Sequence, residues 1–233
     1  MMKLVSYSRL ALYEQCPRQF YYKYVLGHKT PDTKPLALGK AVHKALEVLA
    51  NNPNVPVEEA IKQGLIECGF HSEVEPNEVR QLVENALSKK IEGVPEYHFQ
   101  LPLFDVPDLP EIQGYIDRWN KDEIWDYKTN WQPYDILSNY QLALYAWAAS
   151  QITGLKKIKG HLFFLRYKKI YSYVFTEKEM NLAKEWAKRL ITEINFKLEI
   201  LEIYPDKVDE LFPYQPNRYC SSCPFILDCY KKA

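Results

Sequence analysis

Gly114-Tyr115-Ile116-Asp117-Arg118, the link Asn120-Lys121-Asp122 and Trp125-Asp126-Tyr127-Lys128-Thr129 decide the fold. The runs on either side of the link, Glu111–Asn120 and Glu123–Lys128, look like consecutive strands. Asn120-Lys121-Asp122 supplies a tight polar turn, so the two runs read as a hairpin. Side chains two residues apart on a strand share a face. Asp126 and Lys128 therefore project to one side, and Asp117 on the neighbouring strand is expected to converge with Asp126. Two carboxylates and an ammonium on one sheet face are hard to explain as packing, because a buried charge is costly unless paired or liganded. A hard divalent cation resolves this: carboxylate oxygens bind Mg²⁺ or Mn²⁺, and the amine stays nearby for chemistry. The competing reading is a solvated edge-strand pair, with Asp117 and Arg118 in a salt bridge near the turn. For an isolated Asp-x-Lys that reading is the commoner one.

Outward from the hairpin, the pattern predicts helices before it and alternating elements after it. Tyr7 to Val25 reads as helical, capped at Ser6 or Ser8, kinked at Pro17 and stopped at Gly27. Further helices are expected over Leu36–Ala50, Val57–Cys68 and Pro76–Ile91. Glu96–Phe104 reads as a strand ahead of Glu111–Asn120 and Glu123–Lys128. Then come a helix over Tyr134–Gln151, strands over Ile158–Arg166 and Ile170–Phe175, and a long helix over Glu177–Ile200 capped by Thr176. From Tyr204 the tail is Pro-rich and irregular. The fold class this implies is α/β, a central mixed sheet flanked by helices. One domain is expected over residues 1–233, with a helical portion at 1–92, a catalytic core at 93–200 and a cysteine-rich tail at 201–233.

Lysine plus arginine and aspartate plus glutamate number 30 each among the 233 residues, so bulk charge gives no support to nucleic-acid binding and any basic surface must be local. No apolar run is long enough to span a bilayer, and the N-terminus lacks the apolar stretch of a signal peptide. A cytoplasmic protein is expected. An odd count of five cysteines argues against a disulfide framework.

Other residues keep the Asp-x-Lys company. His43 lies within an amphipathic helix four residues after Gly39; alone it would read as a helix-surface histidine. Gln141 and Tyr145 share one helix face at i,i+4 spacing. The order Gly39-x3-His43, Gly114-x2-Asp117, Asp126-Tyr127-Lys128 and Gln141-x3-Tyr145 resembles the RecB-like branch of the PD-(D/E)XK nucleases. That branch includes the nuclease domains of RecBCD and AddAB and the CRISPR-associated iron–sulfur exonucleases. Ser6-Tyr7-Ser8-Arg9-Leu10 and Cys16-Pro17-Arg18-Gln19-Phe20 resemble it too, so the likeness runs from about residue 5 to residue 230. The resemblance implies a restriction-endonuclease-like core that hydrolyses phosphodiester bonds. His43, Asp117, Asp126 and the Tyr127 carbonyl would hold Mn²⁺ or Mg²⁺, a histidine ligand often going with Mn²⁺. Asp117, Asp126 and Lys128 would carry the chemistry. Gln141 and Tyr145 would orient the phosphate or the lysine. Glu96 is a weaker candidate, as an outer ligand.

Cys220-x2-Cys223-x5-Cys229 offers three thiolates at metal-site spacing, and Cys16, 204 residues upstream, is the natural fourth. From chemistry alone, tetrahedral zinc and a [4Fe–4S] cluster compete equally. The same spacing resembles the cluster ligation of AddAB-type and CRISPR-associated nucleases, which implies a [4Fe–4S] cluster of structural role. Cys68 reads as a small buried residue.

Tyr13, Phe20, Tyr21, Tyr22 and Tyr24 interleave with Arg18 and Lys23. A stacking platform for single-stranded DNA is one reading; core packing is the favoured one for most of these rings. Arg166-Tyr167-Lys168-Lys169 forms a strand turn within reach of a phosphate backbone, although charged hairpin tips are common. The expected function is a DNA exonuclease acting on single strands or ends, in recombination and repair or in CRISPR adaptation. Its partners would be a helicase or a CRISPR integrase. The alternative is a non-catalytic iron–sulfur scaffolding subunit.

Overall fold

The computed structural model describes residues 1–106 and 109–230, Tyr230 by its backbone alone. In chain order the elements are β1 (Leu4–Ser6), α1 (Tyr7–Gln15), α2 (Pro17–Phe20), a π-helical turn (Tyr21–Val25), α3 (Lys34–Asn51), α4 (Val57–Glu67) and α5 (Pro76–Leu87). There follow β2 (Val94–Pro102), β3 (Glu111–Asn120), β4 (Glu123–Lys128), α6 (Gln141–Thr153), β5 (Lys157–Phe164), β6 (Lys169–Thr176), α7 (Glu177–Ile203) and the short α8 (Val208–Leu211) and α9 (Ile226–Tyr230). This is the expected α/β architecture, a mixed sheet with helices against it.

The chain forms two compact units, and β2, β3 and α7 contribute residues to each. The larger comprises Asp32–Phe99 and Tyr115–Ala183. Here β3 and β4 pair antiparallel in the register Arg118↔Trp125 and Asn120↔Glu123. β4 and β5 run parallel, Asp126 opposite Leu162 and Lys128 opposite Phe164, and β5 and β6 are antiparallel. The pleat then divides the side chains. Trp125 and Tyr127 of β4 and Phe163 of β5 meet the apolar stripe of α3, α4 and α5, including Leu38, Val42, Leu46, Val79 and Val83. The alternate residues look toward α6. A methyl on Gly160 would come within 2.9 Å of Leu142 on that helix, which is why no side chain fits there. Asp126 and Lys128 belong to this second set. Within the helical layer, α3 and α4 touch backbone to side: a methyl on Gly64 would stand 2.2 Å from the carbonyl oxygen of Ala41.

The smaller unit comprises the described residues of Met1–Pro31, Gln100–Gly114 and Lys184–Ala233. β1 pairs parallel with the start of β3, Val5 opposite Ile112. Cys16 is extended (φ −160°), which ends α1 so that Pro17 can open α2 at the position where proline needs no N–H partner. The rings of Tyr13, Phe20 and Phe212 pack together, with centroids 5.3 Å apart for Tyr13–Phe20 and 6.4 Å for Phe20–Phe212. Most of these rings are thus core rather than platform. Buried Arg18 donates from Nε to the Phe212 carbonyl at 2.7 Å and pairs with Asp209, fastening the tail to α2.

Several elements differ from expectation: β2 runs Val94–Pro102 rather than Glu96–Phe104, β5 ends at Phe164 rather than Arg166, and the tail holds the short α8 and α9. β1 is a strand where the sequence reads as going straight into a helix; three residues are too few to show alternation. α5 ends at Leu87, four residues before the expected Ile91. The helix expected from Tyr134 starts at Gln141, because Asp135 Oδ1 accepts from Leu137 N and Asn139 Oδ1 from Gln141 N at 2.8 and 2.9 Å. Short polar side chains of this kind satisfy the backbone outside a helix.

Candidate metal centre and cysteine recess

The backbone of Tyr127 joins the groups of the site. Its N–H donates to Asp117 Oδ2 at 2.6 Å, and its carbonyl accepts from His43 Nε2 at 3.1 Å. A carbonyl only accepts, so the second bond puts a proton on Nε2 and turns Nδ1 toward the acids. Nδ1 lies 3.2 Å from Asp117 Oδ1 and 3.7 Å from Glu96 Oε1. The ligand atoms of His43, Glu96 and Asp117 fall within 4.8 Å of one another. Burial disfavours charge on His43, but Asp117 and then Glu96 outweigh it and hold the imidazole well above its ordinary pKa. One nitrogen and two carboxylates form a donor set suited to Mn²⁺, with Mg²⁺ served by the oxygens.

Glu96 sits in this group at a cost. Its φ is +44°, a left-handed backbone inside a strand, which costs a non-glycine residue about 1–2 kcal/mol. Such strain persists where the surroundings impose it, and it is commonest at functional sites.

Asp126 and Lys128 form the neighbouring group. Lys128 Nζ is 2.6 Å from Asp126 Oδ2, a buried ion pair. It also donates to Gln141 Oε1, 2.8 Å away on α6. Asp126 is 3% exposed, and its Oδ2 faces the Lys128 ammonium. A buried carboxylate acted on by a second carboxylate, Asp117, and by the His43 imidazole fits a cation-binding role. Burial raises the Asp126 pKa, Lys128 opposes and Asp117 adds, leaving it pushed up to about 6. Burial would lower Lys128, but Asp126 and then Tyr134 prevail and keep its pKa raised. Tyr145, one turn beyond Gln141, has a raised pKa, chiefly from burial and then from Asp126, and its ring packs edge-on against Phe99 at 5.4 Å.

The structure therefore brings His43, Asp117 and Tyr127 together, sets Asp126, Lys128 and Gln141 beside them, and places Tyr145 behind Gln141. The Tyr127 carbonyl, expected as a ligand, is engaged by His43. Glu96 stands among the ligand atoms rather than outside them. Tyr134, read in the sequence only as the start of a helix, borders Lys128; burial and then Lys128 act on its phenol, and the pKa ends raised.

Cys16, Cys220, Cys223 and Cys229 line one recess of the smaller unit, together with Phe225 and Ile226. All are free thiols. Burial raises the pKa of Cys223, with Cys16 and Cys220 contributing; burial, then Cys223 and Cys16, raise Cys229. Cys220 Sγ accepts from Asn217 N at 3.3 Å, and the Asn217 side chain donates to the Gln15 carbonyl at 3.2 Å, beside Cys16. Four thiols facing one space, with backbone N–H support, suit a metal centre that prefers thiolates. Cys68 lies elsewhere, buried at the end of α4, its thiol donating to the Leu65 carbonyl at 3.3 Å.

A sequence model of the PD-(D/E)XK nuclease superfamily matches residues 4–230, and the chain belongs to that superfamily. Membership carries metal-dependent nuclease chemistry as its class. No curated protein matches the sequence. Among the solved structures that match, one titled "Crystal structure of SSO0001" is 16% identical, with a TM-score of 0.42, covering 100% of this chain and 89% of that one. No described helix is long and apolar enough to cross a membrane.

Proposed function

We propose that this chain is a DNA exonuclease of the RecB-like branch that acts on single strands or ends. The observation that carries the reading is the gathering of His43, Glu96 and Asp117 within 4.8 Å beside the buried Asp126–Lys128 pair. His43, Glu96, Asp117 and Asp126 would hold Mn²⁺ or Mg²⁺. When bound, such a cation activates water at neutral pH and offsets charge on the phosphate. The remaining work belongs to the chain. Lys128, kept cationic by Asp126, steadies the attacking water and the charge growing on the phosphate oxygens. Gln141 fixes the Lys128 amine, and the Tyr127 carbonyl fixes the tautomer and tilt of His43. Tyr145 holds Gln141 in place from the next turn of α6.

The same proposal places a [4Fe–4S] cluster on Cys16, Cys220, Cys223 and Cys229. It would tie the two ends of the chain together, so that its binding energy adds to folding energy. The support is that four thiols so far apart in sequence line one recess. Recombination and repair, with a helicase partner, and CRISPR adaptation, with an integrase, are the settings that fit such an activity.

The test is cleavage of end-labelled single-stranded and duplex DNA by the anaerobically purified chain, with Mn²⁺, with Mg²⁺ and with neither. Shortening from an end, dependent on the cation and lost in Asp117→Asn, is the expected result. DNA binding without cleavage under every condition would leave the scaffolding role instead.

A further inference from the structure

Immediately after Lys128, the chain leaves the sheet through Thr129-Asn130-Trp131. Trp131 is 68% exposed, unusual for the largest apolar side chain so near a catalytic lysine. It is nonetheless held firmly. The guanidinium of Arg166 lies over the indole, 3.8 Å from the ring centroid. Arg166 Nε donates to the Thr129 carbonyl at 2.8 Å, and the Tyr167 hydroxyl donates to the carbonyl of Trp131 itself. Arg166 is fixed in turn by Glu78 Oε1 at 2.6 Å, and Glu78 also faces Lys34 at 3.4 Å. One short turn between β5 and β6 thus supports one face of the indole and two carbonyls of its loop. About two thirds of the residue's surface stays open to solvent. The same turn carries exposed Lys168 and Lys169, in a protein whose overall charge is zero. The loop is bounded by Lys128 on one side and on the other by Tyr134, whose phenol interacts with Lys128.

Resting on the nuclease reading, we propose that Trp131 is the stacking platform for an unpaired base of the DNA substrate, with Lys168 and Lys169 holding the adjoining phosphates. A flat ring held by a cation and largely open to solvent suits a nucleobase, and stacking of this kind tolerates any sequence. It also requires the base to be unpaired, so the platform selects single strands over duplex. Trp131 is three residues from Lys128, at most about 11 Å along the chain. Arg166 is the positioning residue for the indole; the basic pair gives the surface its affinity for phosphate and its sensitivity to salt.

The experiment uses the full chain and oligo(dT), with binding read by anisotropy without divalent cation and cleavage read separately with Mn²⁺. Trp131→Ala is expected to weaken single-strand binding roughly 5- to 100-fold and to leave the weaker duplex binding unchanged. Trp131→Phe keeps a ring and is expected to restore single-strand affinity, while removing the quenching of tryptophan fluorescence that oligo(dT) causes in the parent. Lys168→Ala with Lys169→Ala should flatten the salt dependence. Mn²⁺ affinity should be the same in all variants. Equal single-strand affinity in the parent and Trp131→Ala, or quenching that survives Trp131→Phe, overturns the proposal even if cleavage is normal. If no variant cleaves and the parent does not either, but the quenching and affinity pattern holds, the platform stands and the nuclease reading falls.

Discussion

Lys128 Nζ stands 2.6 Å from Asp126 Oδ2 and donates to Gln141 Oε1, 2.8 Å away. The side chains of the ion pair are 15% and 5% exposed, so each charge depends on the other. Removing one partner of a buried pair leaves an uncompensated charge, at about 3–5 kcal/mol, whereas replacing both is close to neutral. Asp126→Asn should therefore destabilise the protein by about that amount. Asp126→Asn with Lys128→Met should recover most of it, with cleavage still reduced at least about 100-fold. Denaturant melts and initial rates check this; a double variant no more stable than the single one contradicts it.

The left-handed backbone of Glu96 separates stability from metal binding. Glycine adopts that conformation without strain, so Glu96→Gly should be more stable than Glu96→Ala by about 1 kcal/mol. Both should lose Mn²⁺ affinity alike, since both lack the carboxylate. Calorimetric titration and thermal melts of the two variants measure each half independently.

His161 makes folding sensitive to acid. It is 3% exposed, stacks on Trp125 at 3.8 Å and shares a 2.7 Å hydrogen bond between Nδ1 and Ser172 Oγ. Its Nε2 has no hydrogen-bond partner among the described residues. Burial, opposed by Glu123, pulls its pKa down to about 4. Between pH 6.5 and 4 the unfolded chain takes up a proton that the folded chain refuses. Stability therefore falls as pH drops through that window and levels off below it, by at most about 3 kcal/mol. His161→Phe should remove this component. The difference between parent and variant in denaturant midpoints at pH 7 and pH 4.5 reports it.

The cysteines make a compositional prediction. Protein purified without oxygen should be brown and carry iron; Cys16→Ser should lose the iron and melt earlier, and Cys68→Ser should keep both. Zinc in place of iron, in stoichiometric amount, would reassign the recess to a tetrahedral site.

β3 and β4 were legible in the sequence to the residue, because the polar Asn120-Lys121-Asp122 turn marks where one strand ends and the next begins. β1 was not, since it exists only through its pairing with a strand more than a hundred residues on. The sequence assembled His43, Asp117, Asp126, Lys128 and Gln141 into one site. It understated Glu96, whose carboxylate reaches the group through a left-handed backbone that no alternation pattern announces. Trp131 and Arg166 were illegible as a pair for a related reason: their contact depends on the parallel register of β4 and β5, which brings Thr129 and Arg166 together.

The most direct test of the site is Mn²⁺ titration of the parent chain and of His43→Ala, Glu96→Gln, Asp117→Asn and Lys128→Met. The first three should each weaken binding at least about tenfold, Lys128→Met should leave it nearly unchanged, and DNA cleavage should fail in all four. Mn²⁺ affinity indifferent to His43→Ala and Asp117→Asn would contradict the account.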